Sequence, residues 1–349
     1  MAIKRLEVEG VRCLAPTSWN LDPGVNVVVG ENGAGKTSLL EAISLVCTGK
    51  TLRTGSSRGA IAHGQERLRV AATFGEGLEA GDLVYERTRA QRLWRLNDAV
   101  LRSAALAYQQ VPVMVFNPET HYAVLQDSNA RRAGMYWAMF HVEPLFLETW
   151  RRYQRLLRQR NAALRLRNMN YRLFDPGLVQ TGLVLAGFWE RTLVAMRAPF
   201  MALTERLGLG MAADTRLRPG WDGESLAEAL EGSRAGDERV GYTQVGPHRA
   251  DIVFEIDQRS IQEVASHGQQ KVVISAWRLA VVQLVAEKGR QALVLLDDLA
   301  AELDRRRRAA FYETLMGLDL QVVVTAMEPE PLPSPAPMFH VEHGRLHGP

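Results

Sequence analysis

Residues 30–37 read GENGAGKT: two glycines bracket four residues, and a lysine and a threonine follow at once. That spacing suits phosphate chemistry. The glycines let consecutive backbone N–H groups turn inward around phosphate oxygens, a lysine ammonium reaches the β- and γ-phosphates, and a threonine hydroxyl can bind Mg²⁺. Gly30, Glu31, Asn32, Gly33, Ala34, Gly35, Lys36 and Thr37, with Ser38 behind them, are the expected nucleotide-binding residues. A second candidate lies far along the chain. Residues 292–298, ALVLLDD, form an apolar strand pattern that delivers two carboxylates at its C-terminal end, where open α/β sheets bind ligands. Asp297 is expected to hold Mg²⁺ and Asp298 to polarise the water that attacks the γ-phosphate. The plainer alternative is a pair of solvated aspartates capping the next helix.

These groups need elements to position them. VNVVVG, residues 25–30, is an apolar run closed by glycine, the pattern of a buried strand, and KTSLLEAISLVC carries apolar residues at helical spacing. Strand, glycine turn and helix thus follow in the order a phosphate site requires. The opening AIKRLEVEGVRCL is also strand-like, and RLRVAATF and DLVYERT read as antiparallel strands. From about residue 120 to 236 the pattern is mainly helical, with breaks expected at 175–177 and 208–210. There WRRYQRLLRQRNAALRLR puts Tyr153, Leu156, Leu157, Ala163 and Leu164 on one stripe, with Arg151, Arg155, Arg158 and Arg165 on another part of the surface. Strand patterns return in YTQVGPHRADIVFEI, QALVLLDD and LQVVVTAM, the last being the final strand expected before a proline-rich turn and MFHVEHGRL. The expected architecture is an α/β domain split into 1–119 and 237–349, interrupted by a helical insert over 120–236.

Residues 264–275, VASHGQQKVVIS, place small and polar groups ahead of a long apolar stretch. Ser266 there reads as a helix N-cap. The order of phosphate loop, SHGQQ, LLDD and AAELD resembles ABC-type ATPases, in which such a helix start faces the γ-phosphate held by a second subunit. The resemblance implies that Ser266, His267, Gly268, Gln269 and Gln270 complete a partner's site in trans, with Ala301 and Asp304 in a loop near the dimer interface. A helix cap and an anion site are one physical object, so the two readings coexist.

Along its whole length the sequence resembles the RecF family of recombination mediators, relatives of SMC-type ATPase heads. The shared elements are GVRCL, VVVGENGAGKTSLLEAI, Pro118-Glu119 followed by Arg131-Arg132, TQVGPHRAD, SHGQQ, LLDDLAAELD and FHVEHG; GPHRAD is the most family-specific. The resemblance implies an ABC-type P-loop ATPase fold of mixed sheet and helices, with ATP and Mg²⁺ as cofactors. It implies an ATP-dependent homodimer, and duplex DNA bound at gaps or junctions of single and double strand. It further implies RecA loading with RecO and RecR during repair of damaged or stalled replication DNA, driven by a weak, DNA-stimulated ATPase acting as a switch. His267 stands where the family commonly has Gln, Ala301 where it often has Ser, and Asp298 where the wider class more often has Glu. VVVTAM ends with no histidine where ABC transporters place their γ-phosphate sensor, so Thr325 or nothing does that work. These departures point to slow turnover. GPHRAD by itself reads as a β-turn with His248 and Arg249 in solvent; the resemblance adds a role at the nucleotide or dimer interface. A transporter's nucleotide-binding subunit would carry LSGGQ and a downstream histidine, and a small-molecule kinase would leave SHGQQ and AELD without a use.

Bulk composition narrows the field less. The 349 residues are 46% hydrophobic, with a net charge of only +3, so no nucleic-acid partner is visible in the total. Its distribution is uneven: residues 131–172 hold ten arginines against two glutamates, with no lysine or aspartate. The chain favours Arg everywhere, with five lysines among 42 basic residues, so the clustering is informative and the choice of Arg is not. Arg131, Arg132, Arg151, Arg155, Arg158 and Arg165 are the candidate DNA-phosphate contacts; a solvated helical face is the alternative. No apolar run approaches the roughly 18 residues of a membrane span, and Cys13 and Cys47 have no metal-site company. A soluble, cytoplasmic protein is expected.

Overall fold

The computed structural model describes residues 2–52, 56–75, 81–167, 169–299, 303–329 and 332–348. The chain divides into two compact units, Met1–Tyr122 with Val285–Pro349, and Ala123–Leu284.

In the first unit a helix lies between two sheets. One sheet is antiparallel, built in spatial order from Thr17–Asn20, Ile3–Glu9, Arg67–Phe74, Gly81–Thr88, Arg92–Leu96 and Ala99–Val100. The other runs Arg345–His347, Met338–Glu342, Val25–Val29, Gln321–Ala326, Leu293–Asp297 and Val113–Phe116, parallel throughout except at the terminal hairpin. Gln321–Ala326 is buried along its whole length, as a parallel strand covered on both faces must be. Helix Lys36–Thr48 is buried continuously from Ser38 to Cys47, because both sheets pack on it. It stops at Gly49, whose left-handed backbone (φ +68°) lets its N–H reach Leu45 O at 2.8 Å. A Cβ there would stand 2.5 Å from the Trp94 ring, so the turn and the close packing both require glycine. The buried Gln321 side chain pins the sheets together, exchanging hydrogen bonds with Ile3 N and Ile3 O at 2.8 Å each.

In the second unit, helices Ser128–Val142, Phe146–Arg165 and Asp175–Arg206 accompany a three-stranded sheet of Arg259–Ser260, Asp251–Ile256 and Ala213–Arg218. Short helices Leu226–Gly232 and Arg234–Val240 follow, and His267–Glu287 leads the chain back toward the first unit. Tyr153, Leu157 and Leu164 of the expected stripe are buried, and so is Arg160 on the same stripe.

The mixed α/β fold with a largely helical second unit holds, with four differences. The return boundary lies at Leu284 rather than 236, because segment 237–284 packs with the insert: Asp251–Ile256 pairs with Ala213–Arg218, and Phe254 meets Phe200 of the helix Asp175–Arg206 at 6.4 Å. Ala213–Arg218 is a strand inside the stretch expected to be helical. The break at 175–177 is instead the start of a 32-residue helix, with proline in its first turn, where a missing N–H costs no hydrogen bond. The sheet also continues past 321–326 into the hairpin of Met338–Glu342 and Arg345–His347.

Candidate nucleotide-binding site

The phosphate loop leaves Val25–Val29 at Gly30 and enters the helix at Lys36. Gly33 (φ +81°) and Gly35 (φ +121°) occupy conformations that L side chains rarely adopt. The terminal hairpin holds the loop from behind: Gly344 N donates to Ala34 O at 2.8 Å, and a Cβ on Gly30 would meet Val341 O at 2.3 Å. Glu31, Asn32 and Gly33 are exposed, whereas Ser38 is buried.

Lys36 Nζ donates to the Gly30 and Glu31 carbonyls at 2.6 and 2.9 Å. Burial lowers its pKa, with Asp297 and Asp298 opposing that shift. Thr37 Oγ1 shares its proton with the two Asp297 carboxylate oxygens at 3.1 and 3.0 Å, and Thr325 Oγ1 donates to Asp297 Oδ1 at 2.6 Å. The loop, both aspartates and Thr325 line one cavity of about 680 Å³. Thr325, the candidate γ-phosphate sensor, therefore has its hydroxyl committed to Asp297. Asp298 is exposed with a left-handed backbone (φ +54°), a conformation that short polar side chains tolerate best. No cluster of three or more His, Cys, Asp or Glu suited to a metal occurs among the described residues. The Thr37 hydroxyl and Asp297 carboxylate form an all-oxygen pair of the kind that suits Mg²⁺, which keeps several waters and takes its other ligands from phosphates.

Three further groups in this cavity were not among the expected site residues. Arg12 makes a two-pronged ion pair with the buried Glu41 at 2.7 and 3.0 Å, which raises its pKa. Asn117 and Glu119 stand at the end of the neighbouring strand Val113–Phe116, where Asn117 Oδ1 caps Thr120 N at 2.8 Å. GVRCL and Pro118-Glu119 held the signal in the sequence, but no local spacing tied either to phosphate.

In the second unit, Ser266 forms a reciprocal capping box. Its Oγ accepts from Gln269 N at 3.3 Å, and Gln269 Oε1 accepts from Ser266 N at 2.8 Å. Ser266, His267 and Gly268 are exposed at this helix start. Gln270 is not: its buried amide donates to Ala265 O and Ile261 O at 3.0 and 3.3 Å. Asp304 caps helix Arg305–Met316 through Arg307 N at 3.0 Å, and Ala301 lies outside the described residues.

The GPHRAD segment is a solvated turn only at Arg249, which is exposed; His248 is turned inward. His248 Nε2 faces Thr243 O at 3.2 Å and must donate to it, so the neutral ring accepts at Nδ1 from Tyr153 O–H at 2.7 Å. Burial pushes the His248 pKa down to about 4. Asp251 grips Arg131 with two bonds of 2.8 Å, and the remaining Arg131 Nη1 donates to Val124 O and Leu125 O. Arg131 therefore leaves the set of candidate DNA contacts: its donors are used inside the fold. Arg132 also donates inward, to Ala250 O and Asn129 Oδ1. Arg151, Arg155, Arg158 and Arg165 are exposed, the first three around a shallow depression beside Trp150.

The RecF/RecN/SMC N terminal domain family model matches residues 2–344. A protein named DNA replication and repair protein RecF from Thioalkalivibrio sulfidiphilus is 39% identical over 99% of both chains, and its namesake from Chromohalobacter salexigens is 36% identical over 99% of both. Among solved structures, the recombination mediator protein RecF-ATP in the RecFOR pathway overlays with a TM-score of 0.88 at 19% identity, covering 100% of this chain and 97% of that one. An SMC head bound to the C-terminal winged-helix domain of ScpA overlays at 0.62 and 14% identity, covering 99% and 96%. No described helix is long and apolar enough to cross a membrane.

Proposed function

Because the chain belongs to the RecF family of DNA replication and repair proteins, we propose that it is an ATP-operated, DNA-binding recombination mediator. The observation that carries the reading is that Thr37 and Thr325 both bond Asp297 and share with Lys36 one cavity of about 680 Å³, large enough for a nucleotide. ATP phosphates take the place of the Gly30 and Glu31 carbonyls on the Lys36 ammonium, a neutral-for-anionic exchange that restores the charge balance burial disfavours. Mg²⁺ held by Thr37 and Asp297 supplies neutralisation of the β/γ charge. Asp298 orients the attacking water; its short side chain suits slow hydrolysis. Family membership sets aside the transporter subunit and the small-molecule kinase.

The exposed start of helix His267–Glu287 presents Ser266 and the Gly268 N–H to the γ-phosphate held by a second copy, so dimerisation follows ATP. Duplex DNA at gaps or single/double-strand junctions lies against Arg151, Arg155, Arg158 and Arg165, and RecO and RecR join in loading RecA. Ser266→Arg tests the switch, because a bulky cation blocks the partner's phosphate and leaves each copy's own cavity open. Sedimentation should give a monomer with ATP, unaltered ATP binding per chain and no hydrolysis, with or without gapped duplex. A normal ATP-dependent dimer from this variant would reduce the motif to a helix cap.

A further inference from the structure

The family-specific GPHRAD segment also builds the wall of a cleft of about 570 Å³ in the second unit. Arg132 from the helix Ser128–Val142, Arg218 from the end of strand Ala213–Arg218, and Arg249 from GPHRAD all line it. Several neighbouring arginines are neutralised: Arg131 pairs with Asp251 and Arg216 with Glu255 at the cleft itself, and Arg197 pairs with Asp214. Among the described residues, Arg132, Arg218 and Arg249 have no such carboxylate. Two of the three are already oriented. Arg132 is fixed by Ala250 O at 2.9 Å, and the Arg249 guanidinium lies 5.6 Å from the Tyr242 ring centroid. Ordering them around an anion therefore costs little side-chain entropy. The floor is rigid as well, since Gly220 (φ +95°) packs so closely that a Cβ would meet Gly246 O at 2.3 Å.

We propose that this cleft binds phosphates of a nucleic-acid backbone, forming a second phosphate-contact site separate from the arginine face of Phe146–Arg165. The cleft is rimmed by exposed groups, Arg218, Asp222 and Arg249, with Trp221 half-buried beside them, so an extended polymer can enter and leave it. Planar guanidinium forks from three elements match successive phosphate oxygens and read no base. The proposal rests on the DNA-binding reading, and its test separates the two.

Duplex affinity is measured at several salt concentrations for the wild type, for Arg218→Ala/Arg249→Ala and for Arg218→Lys/Arg249→Lys. Two lost phosphate contacts should lower the slope of log affinity against log salt by about 1.8 and weaken binding on the order of tenfold, equally for unrelated sequences. The lysine pair should keep most of the slope. An unchanged slope in the alanine pair, beside a salt-dependent wild type, overturns the cleft and leaves the DNA reading standing. A wild type that binds no duplex overturns both. Titration with ATP alone gives a further arm: a second nucleotide per chain that vanishes in the alanine pair would make the ligand a free nucleotide and overturn the backbone assignment. Should the alanine pair melt early, each single variant carries the test with an expected slope change of about 0.9.

Discussion

Lys36 and Arg160 are both basic side chains drawn away from water, and they are compensated in opposite ways. Arg160 is fully buried and paired with two carboxylates: Nε bonds Asp175 at 2.7 Å, Nη1 bonds Asp237 at 2.7 Å and Thr243 at 2.9 Å, Nη2 is left without a hydrogen bond, and the guanidinium lies 5.1 Å from the Tyr171 ring centroid. Burial disfavours its charge, but the two carboxylates outweigh that, and its pKa rises. Lys36 donates only to neutral carbonyls, and its pKa falls. A cation with matched anions ties Phe146–Arg165 to Asp175 and to Asp237. A cation given only carbonyls can exchange them for phosphate. A cation paired with carboxylates builds structure, and a cation left with neutral partners builds a site.

Four experiments would break or sharpen that contrast, taken from the largest effect downward. Lys36→Met should abolish ATP binding while the thermal melt stays near wild type, since the loop's own hydrogen bonds remain; wild-type affinity in a nucleotide titration would put the phosphate elsewhere. Arg160→Met should destabilise the second unit by about 3–5 kcal/mol, because it leaves the buried Asp237 carboxylate without its cation. Denaturant titration checks this, and a change below about 1 kcal/mol would make Arg160 dispensable.

His248 gives a pH dependence of similar kind. Its folded pKa of about 4 lies below the ordinary 6.5, so the unfolded chain binds this proton first as pH falls. Its contribution is therefore complete above about pH 6.5 and lost between 6.5 and 4, by up to about 3 kcal/mol. In His248→Asn the gap in stability between pH 7 and pH 4.5 should shrink by roughly 2 kcal/mol; an unchanged gap would assign the acid sensitivity to other groups. Thr325→Val should have the smallest effect, about tenfold weaker Mg²⁺-dependent ATP binding, roughly 1.4 kcal/mol for one lost bond to a carboxylate. Thr325→Ser should restore it, and equal losses in both variants would point to packing instead.

Legibility in the sequence followed the range of the interactions. Residues 25–48 were readable because strand, loop and helix are determined locally, and the aspartate pair was readable because an apolar strand ends there. Ala213–Arg218 was not readable: ADTRLR has only two apolar residues, and pairing with Asp251–Ile256 makes it a strand. Arg160 counted only within the arginine cluster, although its spacing from Tyr153, Leu157 and Leu164 marks the buried stripe. The boundary at 237 failed for the same reason, since the partners of Asp237 and His248 lie 77 and 95 positions away. The commitment of Arg131 to Asp251 spans 120 positions, a distance over which residue type alone carries no warning.

The hairpin behind the phosphate loop gives the molecule a timetable. Ala34 is made well before Gly344, so its carbonyl waits for the N–H of Gly344, and strand Val25–Val29 waits for both Gln321–Ala326 and Met338–Glu342 as its neighbours. Ribosomes add about 5–20 residues per second, so roughly 15–60 s separate the loop's synthesis from the arrival of its support. During that interval the nascent chain carries every residue of the loop without the backing that shapes it. The backing that shapes the phosphate loop thus arrives only with Met338–Glu342 and Gly344.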